Sequence, residues 1–208
     1  MKNTALYLLI FLAALLIPVH ASSVDDATSH SEKIILGSGC FWGAEKGYEA
    51  MPGVIDAVSG YADGNGVRPT YREITKLKNK FNVNNHAEVV EVTYNTNLIS
   101  TEELLMHYFE SHDPTQINKQ GNDVGTQYRS IILYSTDQQK QAVDQVLGSY
   151  QGLLTAAGYG EIATLVKPIQ KFYKAESFHQ NYYENNFVRY LMYKKGCQRE
   201  ETLKKIWN

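Results

Sequence analysis

Hydrophobic periodicity divides the chain into alternating strand and helix segments. The run Lys33-Ile34-Ile35-Leu36, leading into Gly37-Ser38-Gly39, predicts a short apolar strand ending in glycines. Apolar residues then recur at helical spacing over 41–51, and Pro52-Gly53 closes that segment. VIDAVSGYA, 54–62, predicts a second strand, and the Gly-rich stretch after it, to 74, a long loop. The β-branched run NNHAEVVEVTY, 84–94, predicts a third strand. Ser100, with Glu103 three residues on, forms a capping box that opens a helix carrying Leu104, Leu105, Tyr108 and Phe109. That helix stops at His112-Asp113-Pro114. A loop of about seventeen residues follows, long enough to need a functional reason. RSIILYS, 129–135, predicts a fourth strand, and 135–157 the longest helix, with Ala142, Val143, Val146, Leu147, Tyr150 and Leu154 in register. EIATLVKPI, 161–169, predicts a fifth strand, and 175–187 a last helix before a polar tail that contains Cys197. The order β-α-β-β-α-β, extended by α-β-α, predicts an α+β fold. Its core would be a two-layer split βαβ (ferredoxin-like) unit with a mixed sheet, extra helices and long irregular loops.

The first residues do not belong to this pattern. One lysine, an apolar run from Ala5 to Ile17 and then Pro18 and Val19-His20-Ala21 have the layout of a secretory signal, with cleavage expected after Ala21. The run is short for a membrane-spanning helix, and the alternative is an uncleaved anchor. Residues 22–32 are polar and aperiodic and predict a flexible mature N-terminus, leaving 33–208 as a single catalytic domain with a C-terminal tail. Removal of 21 of the 208 residues leaves 187, enough for one domain with its own core. With Lys2 gone, 19 basic residues face 22 acidic ones, which gives no electrostatic footprint for nucleic acid or for a membrane beyond the signal segment. An exported, periplasmic or secreted, location is therefore expected.

The chain has two cysteines, Cys40 and Cys197, too few for a structural zinc site. In an exported protein such a pair is either a structural bridge or a redox couple, and counting does not choose between them. Cys40 falls where a strand ends and a helix begins. Unpaired N–H groups and the helix dipole there favour an anion, so a lowered thiol pKa and raised reactivity are expected; the alternative is a small buried hydrophobe, the commonest fate of a free cysteine. The glycines around it, Gly37, Gly39 and Gly43, have the wrong spacing for a dinucleotide-binding turn. In the third strand the two-residue period places Glu88, Val90, Val92 and Tyr94 on the more apolar face, with Glu91 on the other. Desolvation would keep Glu88 protonated as a proton donor; the alternative is an ordinary strand-end carboxylate. His86, His112 and His179 raise a Cys-His hydrolase or acyl-transferase as a competing chemistry, against ordinary roles at a strand entry, a helix end and a helix face. A non-enzymatic secreted domain with one structural disulfide is the third alternative.

The segments GCFWGAE, GYADG, PTYREI, HAEVVEV, HDPT, GNDVGTQYRS and FHQNYY occur in the order found in A-type peptide-methionine sulfoxide reductases, which this chain resembles from about Lys33 to its end. The resemblance implies reduction of methionine S-sulfoxide, free or in oxidised proteins. It implies Cys40 as nucleophile and Phe41 and Trp42 as an apolar cage for the substrate methyl group. Glu88 would protonate the sulfoxide oxygen with help from Tyr71 and Tyr128, and Asp123 would belong to the same network. Oxygen transfer would leave Cys40 as a sulfenic acid, which Cys197 would condense to a disulfide. A thioredoxin-like dithiol would reopen that bridge. No cofactor or metal is implied, and the enzyme is expected to act as a monomer. Asn85 stands where the family often has Gly before His-Ala-Glu, a change expected to be tolerated.

Overall fold

The structure is a computed structural model and describes residues 30–207; the signal segment lies outside the described residues. Its centre is a six-stranded sheet. Strand β1 (Ser31–Ser38) lies between β3 (Ala87–Asn95) and β6 (Ser130–Tyr134), and β2 (Val54–Ala62) pairs with the far edge of β3, all antiparallel. Helix α1 (Phe41–Glu49) joins β1 to β2 across β3, and α3 (Thr101–Glu110) joins β3 to β6 across β1. Two split βαβ units thus interlock, as the element order predicts. Beyond this core, α4 (Asp137–Ala156) carries the chain to β7 (Leu165–Pro168), parallel to β6, and β8 (Phe172–Lys174) adds to the free edge of β2.

β1 reads as an unbroken apolar run because both its faces are covered. Ile34 and Leu36 join the main core with Val90, Val92, Leu104 and Phe109, while Ile35 faces a second cluster with Val89, Ile131 and Leu133. Residues 31 and 32, expected to be flexible, are the start of this strand. Ser31 is in register with Asn95, and Glu32 accepts hydrogen bonds from Tyr94 and Gln139.

The loop 62–86 contains the short helix α2 (Tyr71–Ile74). The loop after α3 contains a small hairpin of β4 (Lys119–Gln120) and β5 (Asp123–Val124). Asn85 does more than tolerate its position, since its buried side-chain amide donates to the carbonyls of Ile74 and Asn79 and holds the α2 loop down.

The largest departure lies at the C-terminus. The expected helix over 175–187 is interrupted at Asn181, whose φ is +50°, and resumes as α5 (Tyr182–Asn185). The polar tail is ordered as two further helices, α6 (Phe187–Cys197) and α7 (Arg199–Ile206), hinged at Gln198 with φ +53°. Trp207 pins the end by packing edge-on to Tyr150 and donating its indole N–H to the His112 carbonyl.

The capping box at Ser100 is complete, with the hydroxyl accepting from the Glu103 N–H and the Glu103 carboxylate accepting from the Ser100 N–H. Ser100→Ala is expected to destabilise the protein by about 1 kcal/mol, measured as a lower urea midpoint with unchanged slope. An unchanged midpoint would show that α3 does not depend on its cap.

Candidate active site

The turn that presents Cys40 can be built only with glycine at position 39. Gly39 has φ +93°, and a Cβ there would lie 2.4 Å from the Arg199 guanidinium and 2.8 Å from the Gln120 side chain. Gln120 is itself fixed, exchanging hydrogen bonds with the Asp113 backbone. The end of β1 is held from below by a buried polar chain. Tyr108 donates to the Gly37 carbonyl at 3.0 Å and meets Ser130, which also contacts His112 and Thr164. Burial keeps His112 neutral, with its pKa pushed down to about 3, so this chain carries no charge at working pH.

Cys40 is the N-cap residue of α1 and is 5% exposed. Glu88, from the start of β3, is 1% exposed, and its Oε2 accepts the Phe41 N–H at 3.2 Å. One of the free donors of the helix N-terminus is therefore given to a carboxyl group beside the thiol. Burial raises the Glu88 pKa to about 8, with Asp123 adding to the rise and the Phe41 N–H opposing it. The acid is neutral at pH 7, as the strand pattern of β3 predicts, and its Oε1 has no partner within the protein. Glu91, on the opposite face, pairs with Lys33 near the surface.

The expected lowering of the Cys40 pKa is not what the structure gives. Burial pushes the thiol well above its ordinary value and Glu88 pushes it further, while Tyr193, the Trp42 N–H and Arg199 act in the opposite direction without prevailing. The helix start does favour the thiolate, through the Trp42 N–H, but desolvation of a thiol closed in on all sides is the larger influence.

Tyr71, Asp123 and Tyr128 come from the two long loops and converge on the same place. Burial raises the pKa of both phenols, and both lie within the electrostatic reach of Glu88, Cys40 and Asp123, so both remain hydrogen-bond donors. Tyr71 is placed through Glu176, which accepts its backbone N–H at 2.9 Å and the Tyr61 hydroxyl at 2.7 Å. Phe41 is 1% exposed and belongs to the core, packed on Tyr61 and His179. Trp42 is half-buried, stacked on Tyr182 at 3.7 Å and met edge-on by Tyr193 at 5.2 Å. Its indole N–H donates to His179 Nδ1 at 3.0 Å, a role that orients the aromatic wall. His86 contacts the Gly66 carbonyl and His112 the Tyr108 carbonyl and Ser130. His86 and His112 are engaged elsewhere, His179 has its Nδ1 taken by Trp42, and none of the three is hydrogen-bonded to Cys40 as the base of a Cys-His hydrolase would be.

Cys197 lies in a helix within the polar tail. It ends α6 at 5% exposure, its Sγ donates to the Lys194 carbonyl at 3.2 Å, and its own carbonyl accepts the Asn122 N–H at 2.9 Å. Both cysteines are free thiols, and both line one cavity of about 380 Å³ between α1, α3 and the α6–α7 pair. Tyr193, which sequence reasoning missed, donates from its hydroxyl to Asp123 Oδ2 and closes the space between Cys40, Trp42 and Asp123. Arg199 and Gln120 were missed as well. The available signal was the helical spacing of Tyr190, Tyr193 and Cys197, which turns one stripe of the tail toward α1.

The family model described as peptide methionine sulfoxide reductase matches residues 32–208. The peptide methionine sulfoxide reductase MsrA of Nautilia profundicola is 42% identical over 175 residues, covering 83% of this chain and 94% of its own length. Methionine sulfoxide reductase A of Corynebacterium diphtheriae superposes with a TM-score of 0.69 at 40% identity, over 76% of each chain. Mxr1 of Saccharomyces cerevisiae in complex with Trx2 superposes with a TM-score of 0.51 at 26% identity, over 74% of this chain and 86% of its own.

Glu88 carries a prediction about stability. Its pKa rises from an ordinary 4.5 to about 8 on folding, so the folded state binds the extra proton between those values. Its contribution is complete below the unfolded value and is lost as pH rises toward 8. Glu88→Gln removes that loss. Relative to the unmodified protein, it should be near neutral in stability at pH 5 and more stable by roughly 2–4 kcal/mol at pH 8.5, measured by denaturant titration. A difference that does not change with pH would show that Glu88 is ionised in the fold.

Proposed function

Because the chain belongs to the peptide methionine sulfoxide reductase family, we propose that Cys40 is the nucleophile with which it reduces methionine S-sulfoxide. The observation that carries this reading is the neutral carboxyl of Glu88 at the same helix start as the thiol. A sulfoxide is a poor electrophile until its oxygen is protonated or strongly hydrogen-bonded, and Glu88, Tyr71 and Tyr128 are the donors in reach. The Cys40 sulfur attacks the substrate sulfur as Glu88 gives its proton to the oxygen. Oxygen passes to Cys40, the substrate leaves as the thioether, and the thiol proton returns to Glu88. Cys40 sulfur is oxidised by two electrons and the substrate sulfur is reduced by two. Trp42, with the buried Phe41 behind it, supplies a dry aromatic surface for the methyl group, so a substrate with the oxygen toward Glu88 is held in one configuration. Tyr193 must leave the space beside Trp42 for the substrate to enter.

Cys197 is the resolving thiol in this reading. Its attack on the Cys40 sulfenic acid forms the S–S bond and releases water. The shared cavity supports this role. A thioredoxin-like dithiol then reduces the bridge. Substrates are methionine sulfoxide in oxidised proteins or as the free amino acid. Cys40, Cys197 and the proton donors all come from one chain, which fits a monomer. The signal-like segment supports export to a periplasmic or secreted location, where the dithiol must be delivered because such compartments hold disulfides closed.

Cys40→Ser is expected to abolish reduction of methyl sulfoxides of S configuration with dithiothreitol, and full activity in this variant would overturn the reading. Cys197→Ser should retain a single turnover and lose recycling by a thioredoxin-like protein, with sustained turnover pointing to another resolving route. N-terminal sequencing of the exported protein should begin at Ser22; an intact chain beginning at Met1 would contradict cleavage.

A further inference from the structure

Arg199 is a cation without a direct ion-pair partner among the described residues: the carboxyls of Asp123 and Glu88 lie only within its longer electrostatic reach. It opens α7 and lies over the glycine turn of the site, so that a Cβ at Gly39 would be 2.4 Å from its Nη2 and one at Gly43 3.6 Å from its Nη1. Its Nε and Nη2 are sealed from solvent and have no hydrogen-bond partner within the protein. Neither of those carboxyls bonds it, whereas the buried Arg129 is paired with Asp63 at 3.0 Å. Leaving charged donors unpaired costs more than any surface position for this side chain would. The only obvious gain is an anion that appears during the reaction.

The cavity that Arg199 lines with Cys40 and Cys197 identifies that anion. We propose that Arg199 stabilises negative charge on the Cys40 sulfur, making it a positioning and charge-compensating residue for the thiol cycle. The inference rests on the reading of Cys40 as nucleophile. The charge appears twice. It develops as the thiol gives up its proton to attack the sulfoxide. It appears again when the reductant's thiolate attacks Cys197: a reductant–Cys197 bond forms, the Cys40–Cys197 bond breaks, and the electron pair departs on Cys40 sulfur before a proton arrives. A leaving thiol of lower pKa departs faster, so the same cation assists both steps.

Other groups around Cys40 do not replace it. Glu88 from β3 opposes a thiolate, and the Trp42 N–H of α1 and the Tyr193 hydroxyl of α6 favour it only as dipoles. Of the lysines lining the cavity, Lys194 pairs with Glu200, and Lys46 sits over the rings of Tyr183 and Tyr190. His107 from α3 is held neutral by burial.

The test uses full-length protein carrying Cys197→Ser, so that Cys40 is its single thiol, and follows iodoacetamide alkylation against pH. Arg199→Met and Arg199→Gln should both move the midpoint upward by about one pH unit and slow alkylation about tenfold below the midpoint. Arg199→Lys, which keeps the charge, should fall between them and the parent. An unmoved midpoint in either uncharged variant, or an equal shift in Arg199→Lys, would overturn the proposal. Single-turnover sulfoxide reduction by the parent protein separates the two claims. A parent that reduces sulfoxide while its Cys40 profile ignores Arg199 leaves the functional reading standing and removes this inference alone.

Discussion

The chemistry of this fold depends on the hydrogen bond from the Phe41 N–H to the Glu88 carboxyl. It joins the start of α1 to the start of β3, and so ties the element that carries the thiol to the element that carries the acid. Two groups that would each prefer water are buried against each other: burial raises the pKa of both, Glu88 raises that of the thiol further, and a hydrogen bond from Cys40 works against the rise at Glu88. The site rests in its doubly protonated form. Tyr108, Ser130 and Gln120 support that burial by fixing the end of β1 and the turn before Cys40.

The arrangement explains why an unactivated thiol is tolerable in a reductase of this kind. A thiolate held permanently at the helix start would oblige Glu88 to remain protonated beside it or to lose its function. In the proposed cycle, with both groups neutral, the proton for the sulfoxide oxygen is present before substrate arrives, and the thiol needs to lose its own only as the sulfur attacks. Desolvation thus supplies the acid directly, and reactivity of the thiol is deferred to the moment of encounter.

The alternation of polar and β-branched residues from Ala87 onward already identified the buried face with Glu88, because one side of β3 packs on helices and the other is partly open. The capping box at Ser100 and the glycine turn before Cys40 were equally legible, since each is a local rule written in adjacent residues. The roles of Phe41, Trp42, Tyr71, Asp123 and Tyr128 came from resemblance, as no spacing rule brings distant loops together. The C-terminal helices were not legible for a different reason. Phe187, Val188, Leu191 and Met192 point outward while Tyr193, Cys197 and Arg199 point in, so the hydrophobic pattern of α6 marks the wrong face. The thiol pKa was misjudged because burial is a property of the assembled fold and the helix start is visible in the chain.

The central claim is that Glu88 is a neutral acid in the reduced, folded enzyme. Infrared difference spectroscopy of the unmodified protein against Glu88→Gln measures this directly through the carboxylic-acid C=O stretch. The account predicts a band at pH 7 that is missing from the variant and that disappears as pH rises through about 8. A carboxylate signature for Glu88 already present at pH 6 would contradict it.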